Sequence, residues 1–76
     1  MAKYRKTALI DASQWWRLGD HEAVVFCPGN STIGVINTLE GQLTVQPGTW
    51  IAGPGAKGEF WPIDDEVFRA TYELAE

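Results

Sequence analysis

The sequence predicts an α+β domain that is mainly β, a small antiparallel sheet or open barrel with one short C-terminal helix. Three observations carry this expectation. Turn signals recur every few residues, at Leu18-Gly19-Asp20, Pro28-Gly29-Asn30, Glu40-Gly41, Pro47-Gly48 and Gly53-Pro54-Gly55. Between two of them the chain alternates, with Leu43 and Val45 on one face and Gln42, Thr44 and Gln46 on the other. Past Pro62, the run Asp64-Asp65-Glu66 suits the start of a helix, with Asp64 as N-cap and two acids at the positive end of the dipole.

The elements follow in order. Residues 4–11 read as a first strand, and 13–17 as one irregular or helical turn. Residues 23–26 form a short apolar run, either a strand or the end of a turn. Residues 33–39 and 42–46 read as a hairpin joined at Glu40-Gly41, with one buried and one wet face. Pro47-Gly48 turns the chain into a strand at 50–52. Residues 58–61 read as another strand, stopped by Pro62. A helix of about two turns fits 65–70, with Val67 and Phe68 facing inward. It is too short to stand alone and must lean on the sheet. Residues 71–74 return as a last strand.

Length and composition bound the rest. The 76 residues read as a single small domain, 1–76. A domain this size buries only about 60% of the surface its unfolded chain exposes. One Cys excludes an internal disulfide. Nine large rings, four Trp, three Phe and two Tyr, either supply an unusually dense core or stay partly exposed until a partner covers them. A net charge of −4 argues against duplex DNA as a partner, since that needs a basic footprint. No apolar run approaches a membrane span, and no signal-peptide core follows the charged N-terminus. The expectation is a cytosolic protein with a free thiol.

A string of motifs adds a resemblance. It comprises Thr38-Leu39-Glu40-Gly41, then Val45-Gln46-Pro47-Gly48-Thr49-Trp50-Ile51, then Lys57-Gly58-Glu59-Phe60-Trp61-Pro62, then Phe68-Arg69-Ala70-Thr71-Tyr72-Glu73. Together with Lys3-Tyr4-Arg5-Lys6-Thr7 and residues 12–15, it resembles a family of small tailed-phage and prophage proteins of unassigned activity. Residues 18–32 match weakly, Thr49 stands where relatives usually carry Asp, and Ile63 where many carry Cys. The resemblance implies a phage origin, a small fold and the cytoplasm of an infected bacterial host. It implies no reaction.

Candidate chemistry is sparse. The one His, His21, and the one Cys, Cys27, lack the signature of a triad. Asp20-His21-Glu22 has no metal-ligand spacing. Gly53 and Gly58 have phosphate-loop spacing, but Glu59 follows where Lys is required. Gly55 and Gly58 still offer backbone N–H groups to an anion, helped by Lys57. Trp50 and Trp61 fit core strands. Adjacent Trp15 and Trp16 cannot both be core, because neighbouring residues point apart. The expected ligand site is therefore aromatic and basic: Trp15, Trp16 and Arg17, with Arg5 and Lys6 from the first strand, and Lys57, Gly55 and Gly58 from the loop. Aromatic faces stack on nucleobases and pair with Arg.

Three functions are open. The first is an oligomeric, non-enzymatic binder that sequesters a nucleotide-derived immune signal, of the kind made by Thoeris or CBASS defence, with no cofactor or metal. The ligand pocket would lie where subunits of a homo-oligomer meet. The second is an inhibitor that binds a host or defence protein through an acidic surface, because residues 57–76 hold six acids and two bases. The third is a signal-degrading enzyme built on His21.

Overall fold

The computed structural model describes residue 2 and residues 9–73. Six strands run in the order β1 (Ala12–Gln14), β2 (Val24–Cys27), β3 (Asn30–Thr38), β4 (Gly41–Val45), β5 (Trp50–Ala52) and β6 (Trp61–Ile63). One helix, α1 (Asp65–Thr71), follows. The class is α+β, mainly β. The strands form two antiparallel three-stranded sheets, ordered β1-β5-β6 and β2-β3-β4.

The expected hairpin is present as β3 and β4, pairing Thr38 with Gly41, Ile36 with Leu43 and Gly34 with Val45. Gly41 adopts φ +121°, a conformation open to glycine, where the chain leaves the turn. Val24, Ile36 and Leu43 form one cross-strand row, and Phe26, Gly34 and Val45 the next. The middle of this face is buried.

Several expectations change. Of the strand expected at 4–11, residues 4–8 lie outside the described residues and Leu9 to Asp11 are not in a strand. The first strand instead falls at Ala12–Gln14, part of which was expected as a turn. Its cause is non-local: Ser13 pairs with Ile51, and Trp15 extends the ladder with N–H to Thr49 carbonyl at 2.8 Å. The strand expected at 58–61 shifts to 61–63. Gly58 at φ +78° and its N–H bond to the Gly55 carbonyl hold that segment as a loop. Pro62 does not stop the strand but sits inside it, opposite Ile51. An edge strand tolerates proline because one side of its backbone needs no ladder donor.

At the C-terminus the helix runs to Thr71, and Tyr72 caps it with extended backbone and an N–H bond to the Phe68 carbonyl. No strand forms at 71–73; Leu74 lies outside the described residues. The Asp64 cap is as expected, its carboxylate accepting from Glu66 N–H. Phe68 faces inward, but Val67 is mostly exposed, because a helix resting on one sheet buries a single narrow stripe.

The core is small: Trp15, Val24, Ile36, Val45, Ile51 and Ala52. Trp15 is its largest member at 1% exposure. Trp50 and Trp61 are only half-buried. The indole needs space, and Gly34 supplies it. A Cβ at Gly34 would collide with Val24 Cγ1 and lie 3.3 Å from Trp15 Cζ2. Trp15 also carries a cost. Its buried Nε1 has no hydrogen-bond partner among the described residues, and an orphaned buried donor costs about 1–3 kcal/mol.

Candidate functional site

The two adjacent tryptophans part company, as their spacing requires. Trp15 enters the core and offers nothing to a ligand. Trp16 is 57% exposed. Its turn is held by Asp20, whose Oδ2 accepts the N–H groups of Trp16 at 2.9 Å and Arg17 at 3.1 Å. The Asp20 N–H closes the turn onto the Arg17 carbonyl at 3.1 Å. Trp16 lies over the turn at residues 46–49, since a Cβ on Gly48 would sit 3.8 Å from its Cζ3. The Arg17 side chain is open to solvent, and its Nε is 4.0 Å from Asp20 Oδ1. So exposed a pair adds little stability. The outcome is an indole and a guanidinium displayed side by side on a fixed turn.

Of the other expected site residues, those that are described form a separate loop. Arg5 and Lys6 lie outside the described residues. Gly55, Lys57 and Gly58 belong to a loop folded on Glu59 and Phe60. There the Lys57 N–H donates to Glu59 Oε2 at 2.8 Å and the Gly55 N–H to the Glu59 carbonyl at 2.8 Å. A Cβ at Gly55 would run into the Glu59 carboxylate. The loop does present an amide to an anion, and that anion is its own Glu59. The same residue that breaks the phosphate-loop pattern in sequence fills the loop in space.

His21 packs edge-on against Phe60 with ring centroids 4.8 Å apart, and its Nδ1 accepts the Ala23 N–H at 3.0 Å. Both contacts are structural. Cys27 is half-buried beside the Pro28 carbonyl. Among the described residues, no three His, Cys, Asp or Glu converge in a way that would hold a metal.

The sequence reading missed one cluster. Trp50 stacks on Phe68 at 4.0 Å with an 8° interplanar angle, and Phe68 on Tyr72 at 5.2 Å. Asp65 lies beneath this ladder as a shared acceptor. Its Oδ1 takes Trp50 Nε1–H at 2.8 Å, Gln14 Nε2–H at 3.3 Å and Arg69 Nε–H at 2.9 Å. Part of the signal was present in the sequence, since Phe68/Tyr72 and Asp65/Arg69 are each four apart on the helix. The Trp50 and Gln14 bonds depend on tertiary placement. Asp65 therefore docks α1 on the β1-β5-β6 sheet.

The Trp50 bond, then Arg69, lowers the Asp65 pKa below the ordinary carboxylate value, against an opposing push from desolvation. A carboxyl with a depressed folded pKa contributes stability above its unfolded pKa and loses it as pH falls through the folded one. The docked helix should accordingly loosen on acidification. Trp50 fluorescence and helical circular dichroism should change together below the ordinary carboxylate range. Asp65→Asn should remove most of that acid dependence. An unchanged acid transition in Asp65→Asn would refute the role of this carboxylate.

Shallow grooves mark the surface of the described residues. One, of about 370 Å³, is lined by Leu43, Thr44, Gln46, Thr49, Pro62 and Asp64. A second, of about 270 Å³, runs along the end of α1 from Arg69 to Glu73. Both are open to solvent. The first holds a carboxylate and no cation, which suits a phosphate poorly. No helix among the described residues is long and apolar enough to cross a membrane. No family model, curated protein or solved structure matches the chain.

Proposed function

We propose that this chain is a small non-enzymatic binding protein that recognises a protein partner through its surface, with Trp16 as the anchor. The observation that carries the reading is the mostly exposed indole of Trp16, fixed on the Asp20-clamped turn next to Arg17. Trp and Arg are the side chains that concentrate binding energy at protein interfaces. Open grooves favour the same reading, because small-molecule sites are concave and bury most of their ligand. The partner fits less well with a purely acidic contact. Glu59 and Asp65 are engaged in bonds within the chain, which leaves Asp64, bonded through Oδ2, with a free oxygen among the described residues. Taken with the resemblance to phage proteins, the partner would be a host or defence complex in the infected cell.

Trp16 beside Arg17 also favours a second reading, in which a nucleotide-derived signal is sequestered. The indole would stack on a base and the guanidinium would bind a phosphate. Trp15 and the glycine loop make no contribution, so a second copy of the chain would have to close the site.

Affinity capture from bacterial lysate with wild type and Trp16→Ala, followed by native mass spectrometry, separates the two. The protein reading expects a stoichiometric protein partner with wild type and its loss with Trp16→Ala. Thermal stability should stay within about 0.5 kcal/mol, as for other surface changes. Retention of a heat-extractable nucleotide with no protein partner would overturn it in favour of sequestration.

A further inference from the structure

Among the described residues, the outer edge of β4 has no partner strand, and a groove lies beside it. The antiparallel register decides which backbone groups face outward. Thr38–Gly41, Ile36–Leu43 and Gly34–Val45 are the hydrogen-bonded pairs, because Thr38 and Gly41 flank the two-residue turn. The alternate residues, Gln42 and Thr44, therefore point their N–H and C=O groups away from β3. The β2 side agrees: Val24 N–H turns away from β3 to the His21 carbonyl, which leaves Val25–Val35 as the bonded pair there. Proteins usually protect such an edge with Lys, Pro or a bulge. The strand Gly41–Val45 carries no charge, no proline and no register shift.

The groove lies along this edge. Leu43 points to one face of the strand and Thr44 and Gln46 to the other, yet all three line it. The far wall is Thr49, Pro62 and Asp64. Leu43 is 43% exposed and offers an apolar subsite. Asp64 uses Oδ2 for its cap, and no cation pairs with it among the described residues. The groove therefore combines main-chain groups with no partner among the described residues, an apolar contact and one negative charge.

We infer that β4 and this groove take an extended segment of a protein partner, with alternating apolar and basic side chains, as an added antiparallel or parallel strand. The inference rests on the protein-binding reading above and names the class of segment bound. Main-chain bonds to Gln42 and Thr44 supply affinity, and the alternate side chains supply specificity. Charge selects the occupant. A second copy of this chain would bring an uncharged β4 and a net charge of −4 against a net charge of −4, whereas a basic segment meets Asp64. Trp16 and the groove flank the same turn at residues 46–49, so one partner can reach both.

The test uses the full chain, labelled with ¹⁵N, and a synthetic peptide of four Val-Lys repeats. Expected results are shifts and slowed solvent exchange at the Gln42 and Thr44 amides. Binding should fall with added salt. A Val-Glu peptide, and a Val-Lys peptide N-methylated at alternate amides, should not bind. Thr44→Pro removes an outward donor without breaking the β3 ladder and should weaken binding about tenfold. Asp64→Asn keeps a good cap and should weaken it severalfold. The N-methylated peptide keeps the test valid even if Thr44→Pro disturbs folding. Equal binding of the N-methylated or Val-Glu peptide would overturn the inference. So would shifts confined to Trp16. Gln42 and Thr44 amides already protected without peptide would show that the edge is filled by this chain or a second copy. If the Val-Lys peptide fails while Trp16-dependent capture of a partner persists, the edge proposal falls and the protein-binding reading stands.

Discussion

Trp15→Ala is expected to be the most destabilising single change, lowering the thermal midpoint by roughly 12–40 °C. Emptying a fully buried indole site costs about 3–5 kcal/mol. A domain of this length holds roughly 4–11 kcal/mol in total. Four other buried side chains, Val24, Ile36, Val45 and Ile51, share one cluster with the indole, and none is large enough to refill the space. Thermal melts followed by circular dichroism measure the effect. Trp15→Phe makes the contrast. It leaves a smaller cavity and removes the orphaned Nε1–H, so the two changes partly offset. A stability loss as large as that of Ala would show that the indole N–H is bonded after all. A Trp15→Ala loss below about 1 kcal/mol would show that the core is centred elsewhere.

Gly34→Ala is expected to have the next largest effect, a loss of about 1–3 kcal/mol from overpacking. The added methyl meets Val24 Cγ1 head-on, with Trp15 Cζ2 and the Val25 carbonyl each 3.3 Å away. The carbonyl is backbone and cannot swing aside. Relief must come from Val24, which is itself buried. Val24→Ala should therefore rescue Gly34→Ala, so that the double variant loses less than the two single losses combined. Chemical denaturation of the four proteins closes the cycle. Strict additivity would mean that Val24 is not what the new methyl strikes.

The β3–β4 hairpin was legible because its signals are local. Alternation marks the faces, and Glu40-Gly41 marks the turn between them. The Asp64 cap and the start of α1 were legible for the same reason. β1 and β6 were not. Each has three residues and is set by pairing with β5, which lies about forty positions from β1 and about ten from β6, both beyond the few residues that a strand pattern reads. Pro62 misled for a related reason, since proline is forbidden in a central strand but permitted at an edge, and edge position is a tertiary property.

At the candidate site, periodicity separated Trp15 from Trp16 but did not say which would be buried. That choice was made by Gly34, nineteen positions on. The glycine loop was read as open to an anion, and the anion turned out to be the next side chain in the sequence. Dipole complementarity accounts for Asp65 from sequence alone, whereas its Trp50 and Gln14 partners come from β5 and β1, 15 and 51 positions away.

The Asp20 clamp has a consequence for association. Trp16 and Arg17 have their backbone conformation set before any encounter, by two bonds to one carboxylate oxygen. The indole then has only two torsions to immobilise, whereas an indole on a floppy loop would also surrender backbone freedom of about 1–2 kcal/mol per residue. Whatever lands on this turn meets a surface whose configurational entropy was already spent during folding.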